Sequence, residues 1–232
     1  MLLAPTHILT DVEGTTTSLA FVRDTLFPYS TEALPEFVRR NQNDPEIARL
    51  LADARAYAGA ELDLEALIER MLGWIATDRK ITPLKALQGH IWADGYQRGA
   101  FQGHTYADVA PVLRAWQAAG KQLAVFSSGS IHAQKLLFAH TPDGDLSGLF
   151  CAHFDTRIGG KKEVDSYRRI VNELNADPER VLFLSDVVAE LDAARAARIM
   201  TAAILRPGVD DDFGDHATFA DFHDLNQALD NL

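Results

Sequence analysis

Two acids one residue apart, Asp11 and Glu13, close the apolar run in "THILTDVEGTTTSLAF" and lead at once into Gly14 and three threonines. A core strand needs neither carboxylates nor a glycine at its end, so the stretch asks for a chemical reason. Two later apolar runs end in similar chemistry. Ser127 and Ser128 with Gly129 follow "LAVF", and Asp186, with Glu190 four residues on, follows "VLFLS". Between them lies "GGKKE", a glycine pair followed by Lys161 and Lys162. Carboxylates from two strand ends suit a hard, oxygen-loving cation such as Mg2+, which keeps water and phosphate in its shell. Hydroxyls and backbone N–H groups at a glycine turn cradle phosphate oxygens, and a lysine adds positive charge. The set therefore points to phosphoryl transfer, where positioning and charge neutralisation dominate. Singly, each piece is ordinary: a strand-end Asp commonly caps a helix, and a Lys pair is commonly a solvated turn. Their order along the chain is what argues for a site. Glu190 divides evenly between a role behind the site and a plain helix-face acid.

The elements that must hold these residues are legible as a pattern. Ile8–Thr10, Leu123–Phe126, Val181–Leu184 and Thr201–Leu205 read as four short buried strands. Helical periodicity separates the later three. Val109, Val112, Leu113 and Trp116 run to a C-terminal Gly120, while Tyr167, Ile170, Val171 and Leu174 stop before Pro178. Strand, helix, strand predicts a parallel α/β sheet of Rossmann-like kind, with ligands beyond the carboxyl ends of the strands. More than a hundred residues separate the first strand from the second, too many for a normal crossover. Ile47, Leu50, Leu51 and Ala54, then Leu64, Leu67, Ile68, Met71, Leu72 and Ile75, follow helical spacing. The expected organisation is a core of residues 1–19 and 101–232 carrying an inserted helical cap over residues 20–100.

Composition narrows the partners. Of 232 residues, 33 are acidic and 22 basic, a formal charge of −11, which disfavours nucleic acid or an anionic membrane as partner. "MLLAPTHIL" carries no basic leader, and no apolar run approaches membrane-spanning length, so a cytoplasmic protein is expected. A single cysteine, Cys151, excludes an internal disulfide and is expected as a small core residue.

The order Asp, Ser, Lys, acid resembles the haloacid dehalogenase superfamily of phosphatases. The stretches "DVEGTTTSLAFVRDTLFPY", "LKALQGHIWADGY", "VFSSGS" and "FLSDV" look closer still to its enolase-phosphatase family of methionine salvage, from about Ile8 to Gly208. The Glu-Gly-Thr-Thr after Asp11 is the distinctive part, since the wider superfamily has Asp where Glu13 stands. The resemblance implies that Asp11 is the nucleophile and a Mg2+ ligand, with Glu13 and Asp186 as further metal-site acids and Glu13 a catalytic candidate. It makes Ser127 and Ser128 substrate contacts and Lys161 the phosphate-side cation. Ser166 and Tyr167, a following Ser-Tyr pair as in the family, favour Lys161 over Lys162. Ser185 stands where the superfamily commonly has Gly, and Glu190 where it commonly has Asp.

What the resemblance implies chemically is a Mg2+-dependent conversion of a phosphorylated five-carbon diketone, 2,3-diketo-5-methylthiopentyl-1-phosphate, to the acireductone and phosphate. The phosphatase half runs through an aspartyl-phosphate, and no residue is singled out as enolisation base beyond Glu13 as a candidate. A small-molecule substrate and a monomer are the expected partners. The helix starting near Pro83 places Lys85, Gln88 and Trp92 on one flank of a seam made by Leu84, Leu87 and Ile91. That flank is either half-exposed packing or a set of substrate contacts. Two other functions compete. A generic sugar-phosphate or phosphoglycolate phosphatase would share the core and differ in the cap, where "DRKITPLKALQGHIW" favours the enolase-phosphatase. A phospho-accepting receiver module has no large helical insertion and puts its Asp on an inner strand. His90, His104 and His132 are assigned no catalytic part.

Overall fold

The structure is a computed structural model describing residues 4–77, 79, 81–207 and 212–231. Met1 to Leu3 of the amino-terminal stretch, Asp78 and Lys80 of the cap stretch and Gly208 at the end of the family resemblance lie outside them. The chain forms two compact units, Met1–Leu19 with Gln102–Leu232 and, separately, Ala20–Phe101.

The first unit is built on a six-stranded, wholly parallel sheet: β1 His7–Thr10, β2 Gln122–Phe126, β3 Phe150–Phe154, β4 Val181–Ser185, β5 Met200–Ile204 and β6 Ala217–Phe219. Their spatial order is β3-β2-β1-β4-β5-β6. The chain leaves β1 in both directions, so the crevice where strand order reverses opens at the end of β1, directly before Asp11. Side chains alternate across the sheet. Leu9, Phe126 and Phe183 join one buried cluster with Tyr167 and Ile170, while Ile8, Leu123 and Leu182 join another with Leu113 and Trp116. Burial on both faces explains why these strands read as unbroken apolar runs.

Two strands escaped the sequence reading. "FCAHF" carries a histidine and is only partly buried because β3 is an edge strand, and β6 is three residues long on the other edge. Cys151 corrects an expectation: it lies on β3 and is exposed, not in the core. A second correction concerns Asp11. The first strand in sequence is an inner strand in space, so its position gives no argument against a receiver module; that exclusion rests on the insertion and on the chemistry below.

The second unit is all helix. A π-helical turn, Val22–Leu26, runs into the helix Phe27–Asn41, followed by Pro45–Ala58, Leu64–Ala76 and Thr82–Gln97. Asp44 and Asp63 cap the second and third helices through their carboxylates, at N–H distances of 2.8 to 3.1 Å. The predicted seam is the core: Leu50, Leu67, Met71, Leu84, Leu87 and Ile91 are buried together. Trp74, outside the expected stripe, is buried as well, whereas Leu72 and Ile75 are only partly so. No helix among the described residues is long and apolar enough to cross a membrane.

Candidate active site

Register alone gathers the strand-end residues. Thr10 of β1 stands opposite Val125 of β2 and Leu184 of β4, so Asp11, Ser127 and Asp186 emerge beside one another on neighbouring strands about 4.8 Å apart. After Asp11 the backbone turns tightly, with the N–H groups of Thr15, Thr16 and Thr17 all donating to the Val12 carbonyl. Gly14 is required here. Its φ is +83°, and a Cβ would lie 2.1 Å from Asp186 Oδ2, inside the carboxylate's own space. Thr15 Oγ1 donates to Asp186 Oδ1 at 3.3 Å.

Lys161 is the lysine of the site. Its Nζ lies 2.7 Å from Asp11 Oδ1 and 2.6 Å from Glu190 Oε2, with only 11% of the side chain exposed, whereas Lys162 is exposed. The backbone at Lys161 is pinned from below. Ser166 Oγ donates to the Gly160 carbonyl at 2.8 Å and the Tyr167 hydroxyl to the Lys161 carbonyl at 2.7 Å. This gives the Ser-Tyr pair after the lysine a physical purpose. Burial alone would lower the Lys161 ammonium, but the Asp11 and Glu190 charges outweigh it and hold the group above its usual value.

Glu190, left open by the sequence, belongs to the site. It accepts from Ser185 Oγ at 3.0 Å as well as from Lys161, and the same Ser185 hydroxyl accepts the Val187 N–H. Burial, then the Asp11 charge, push its carboxyl up to about 6 despite Lys161 and Ser185. Burial and Asp11 likewise raise Asp186. Asp11 itself is 3% exposed; the Val12 N–H and Lys161 both contact its Oδ1, so Oδ2 is the oxygen with uncommitted lone pairs.

A pH test follows from Glu190. As pH falls through about 6 the carboxylate takes up a proton and Lys161 loses a partner, so kcat/KM should fall on the acid side. The Ser185 hydroxyl lowers the Glu190 value, so Ser185→Ala should move that acid limb to higher pH. A limb that stays put or moves to lower pH would remove Glu190 from the profile.

The other expected residues are placed as follows. Ser127 is buried and its hydroxyl accepts the Gly129 N–H at 3.1 Å, while Ser128 is exposed. Glu13 is half-buried and its backbone bridges to Thr17. Among the described residues no three His, Cys, Asp or Glu side chains gather as a ready-made metal cluster, so Asp11, Glu13 and Asp186 are not drawn into one group. Asp186, like Glu190, is raised by burial and then by the Asp11 charge. In the helical unit Lys85 is exposed. Gln88 is buried, not half-exposed, and donates to Ser30 Oγ at 3.3 Å; the Trp92 indole N–H donates to the Leu26 carbonyl at 2.9 Å.

Asp11, the buried Lys161 and Asp186 stand at the switch point of the parallel sheet. The family model for haloacid dehalogenase-like hydrolases fits residues 5–198. Enolase-phosphatase E1 of Thioalkalivibrio sulfidiphilus is 63% identical over 215 residues, covering 93% of this chain and 96% of that one. The chain belongs to the enolase-phosphatase E1 family of haloacid dehalogenase-like hydrolases. Enolase-phosphatase E1 of Methylococcus capsulatus is 54% identical over 202 residues, covering 87% of this chain and 89% of its own. Among solved structures, the UTR4 protein of Saccharomyces cerevisiae superposes with a TM-score of 0.80 at 33% identity, covering 94% and 98% of the two chains. CbbY of Rhodobacter sphaeroides, at 20% identity and a TM-score of 0.61, shares the fold. Family membership fits the six-stranded parallel core and its strand-end carboxylates, and it replaces the strand-position argument against a receiver module.

Proposed function

We propose that this chain is the bifunctional enolase-phosphatase of its family, taking 2,3-diketo-5-methylthiopentyl-1-phosphate to the acireductone and phosphate. The observation that carries the reading is the Asp11–Lys161–Glu190 bridge beside Asp186 at the sheet's switch point. Asp11 Oδ2 attacks phosphorus as the bond from phosphorus to the substrate's ester oxygen breaks, that oxygen leaving as the alcohol once protonated. Water then hydrolyses the aspartyl-phosphate to free Asp11 and phosphate, so one difficult hydrolysis becomes two easier steps. Lys161, held by Glu190 when Asp11 turns to the phosphoryl group, meets the charge on the phosphoryl oxygens. Ser127, with the backbone N–H groups of its turn, and Ser128 receive the remaining phosphate oxygens.

Mg2+ fits the donors present. Lys161 bridges Asp11 and Glu190, and burial together with the Asp11 charge raises the Asp186 and Glu190 carboxyls, so the site can accept a further positive charge. The donors are oxygens, and one or two carboxylates with waters and substrate phosphate suffice for this ion, so a three-carboxylate cage is not needed. When bound, Mg2+ would offset phosphoryl charge and polarise a substrate carbonyl. Glu13 is the proposed further metal-site acid and candidate enolisation base. The enzyme is proposed to act as a cytoplasmic monomer.

The helical unit supplies selectivity in this reading, with Lys85, Gln88 and Trp92 contacting the diketone and methylthio parts. A phosphate-release panel of the diketone phosphate, sugar phosphates, phosphoglycolate and p-nitrophenyl phosphate, with and without Mg2+, tests the function; a preference for sugar phosphates would favour the generic phosphatase. Lys85→Ala, Gln88→Ala and Trp92→Ala should each cost ~10-fold or more in kcat/KM on the diketone phosphate and little on p-nitrophenyl phosphate, because remote contacts serve only the substrate that makes them. Gln88 and Trp92 also hold Ser30 and Leu26, so their loss carries a stability cost as well. Equal losses on both substrates together with a lower melting temperature would leave these side chains as packing.

A further inference from the structure

Arg206, just beyond β5, is 5% exposed and has no part in the chemistry described so far. Its Nε donates to the Thr15 carbonyl at 2.8 Å and its Nη1 to Asp108 Oδ1 at 2.9 Å. The guanidinium lies 4.0 Å from the Tyr106 ring centroid and 5.4 Å from that of Phe222. Asp108 is committed in turn, its Oδ2 accepting the Phe222 N–H at 2.8 Å. Burial would raise the Asp108 carboxyl, but Arg206 and that N–H hold it below the usual range, so Asp108 meets the guanidinium as a carboxylate. A chain of bonds thus runs from the C-terminal helix Phe222–Asp230 through Asp108 and Arg206 to Thr15, whose hydroxyl meets Asp186.

Stability is a poor reason for such an arrangement. A buried ion pair loses in desolvation about what it gains in attraction, and an apolar side chain packed between two rings would hold the fold as well. Arg206 Nη2 is buried with no hydrogen-bond partner at all, a further cost. What an apolar residue cannot do is grip the Thr15 carbonyl. The other bonds to the turn leave the Thr15 carbonyl untouched: three of its N–H groups return to Val12, the Tyr106 N–H donates to the Thr16 carbonyl, and His104 Nδ1 lies 3.0 Å from Thr17 Oγ1.

We propose that Arg206 is a positioning residue: braced by Asp108, it fixes the Gly14–Thr17 turn so that the Thr15 hydroxyl orients the Asp186 carboxylate for Mg2+. The proposal rests on the reading of Asp186 as a metal ligand. Outer partners that orient a ligand typically change metal affinity 10- to 100-fold when removed. Arg206→Met keeps the length and packing of the stem and deletes the donors, and Thr15→Val deletes the hydroxyl with the shape kept. Calorimetric titration of the free enzymes with Mg2+ should show both variants weakened ~10-fold or more, with Arg206→Lys recovering part of the loss. Leu225→Ala, a core truncation on the C-terminal helix, provides a variant of lowered melting temperature whose Mg2+ affinity should stay at the wild-type value. Unchanged affinity in Arg206→Met, or equal weakening in Leu225→Ala, would overturn the proposal. A wild-type enzyme that takes up no Mg2+ would remove the metal reading and this proposal together, and that failure is distinguishable because it appears without any substitution.

Discussion

Asp11→Asn is expected to abolish phosphate release while leaving the protein folded. The amide is nearly isosteric, and it keeps an oxygen for the Val12 N–H, so the strand end has no reason to move. It lacks the anionic lone pair needed to attack phosphorus, and a loss of ~1000-fold or more in kcat, about 4 kcal/mol, should follow. The substitution has a second signature. Asp11's charge is among the forces that raise Glu190 and Asp186, so both should titrate at lower pH in the variant, a shift that carboxyl NMR would read. A variant retaining more than a few per cent of wild-type turnover has lost only ~2 kcal/mol of transition-state stabilisation, too little for a nucleophile, and the assignment would fail.

Chelation should be as severe and fully reversible. Lys161 is shared between the buried Asp11 and Glu190 carboxylates, and Asp186 feels the Asp11 charge, so without a divalent cation that negative charge stands against binding an anionic phosphate ester. Excess EDTA should stop phosphate release and acireductone formation alike, and added Mg2+ should restore both. The same ion should raise the melting temperature in the absence of substrate, because a ligand bound only by the folded state stabilises it, by ~2.7 kcal/mol at a hundred times its dissociation constant. Undiminished phosphate release in excess chelator, or a melting temperature indifferent to Mg2+, would contradict the metal reading.

The sequence by itself determined the parallel sheet, the helical character of the insertion and the family. The reason lies in backbone physics. Buried parallel strands must be apolar on both faces, and that requirement leaves runs such as "VLFL" whatever the chain packs against. Amphipathic helices leave their stripe in the same way, which is why Leu67, Met71, Leu84 and Leu87 were legible as core before any partner was known. Asp11 and Asp186 were legible because strand ends are where such folds bind ligands, and Glu-Gly-Thr-Thr because so specific a stretch serves no packing need. Edge strands β3 and β6 were not, since half-exposed strands carry mixed residues and a weaker pattern.

Only tertiary structure decided which charges meet. Lys161 and Lys162 are equivalent in composition and adjacent in sequence; the turn that Gly159 permits, with φ +136°, and the grip of Ser166 and Tyr167 on the loop send one inward and leave the other in water. Glu190 could have been a solvated helix acid, and became a partner of Lys161 because its helix starts directly behind β4 and turns that face toward the strand end. Arg206 gave no signal at all. Its role depends on Thr15, 191 residues away, and on Asp108, 98 residues away, and local pattern carries no record of contacts closed by folding over such distances.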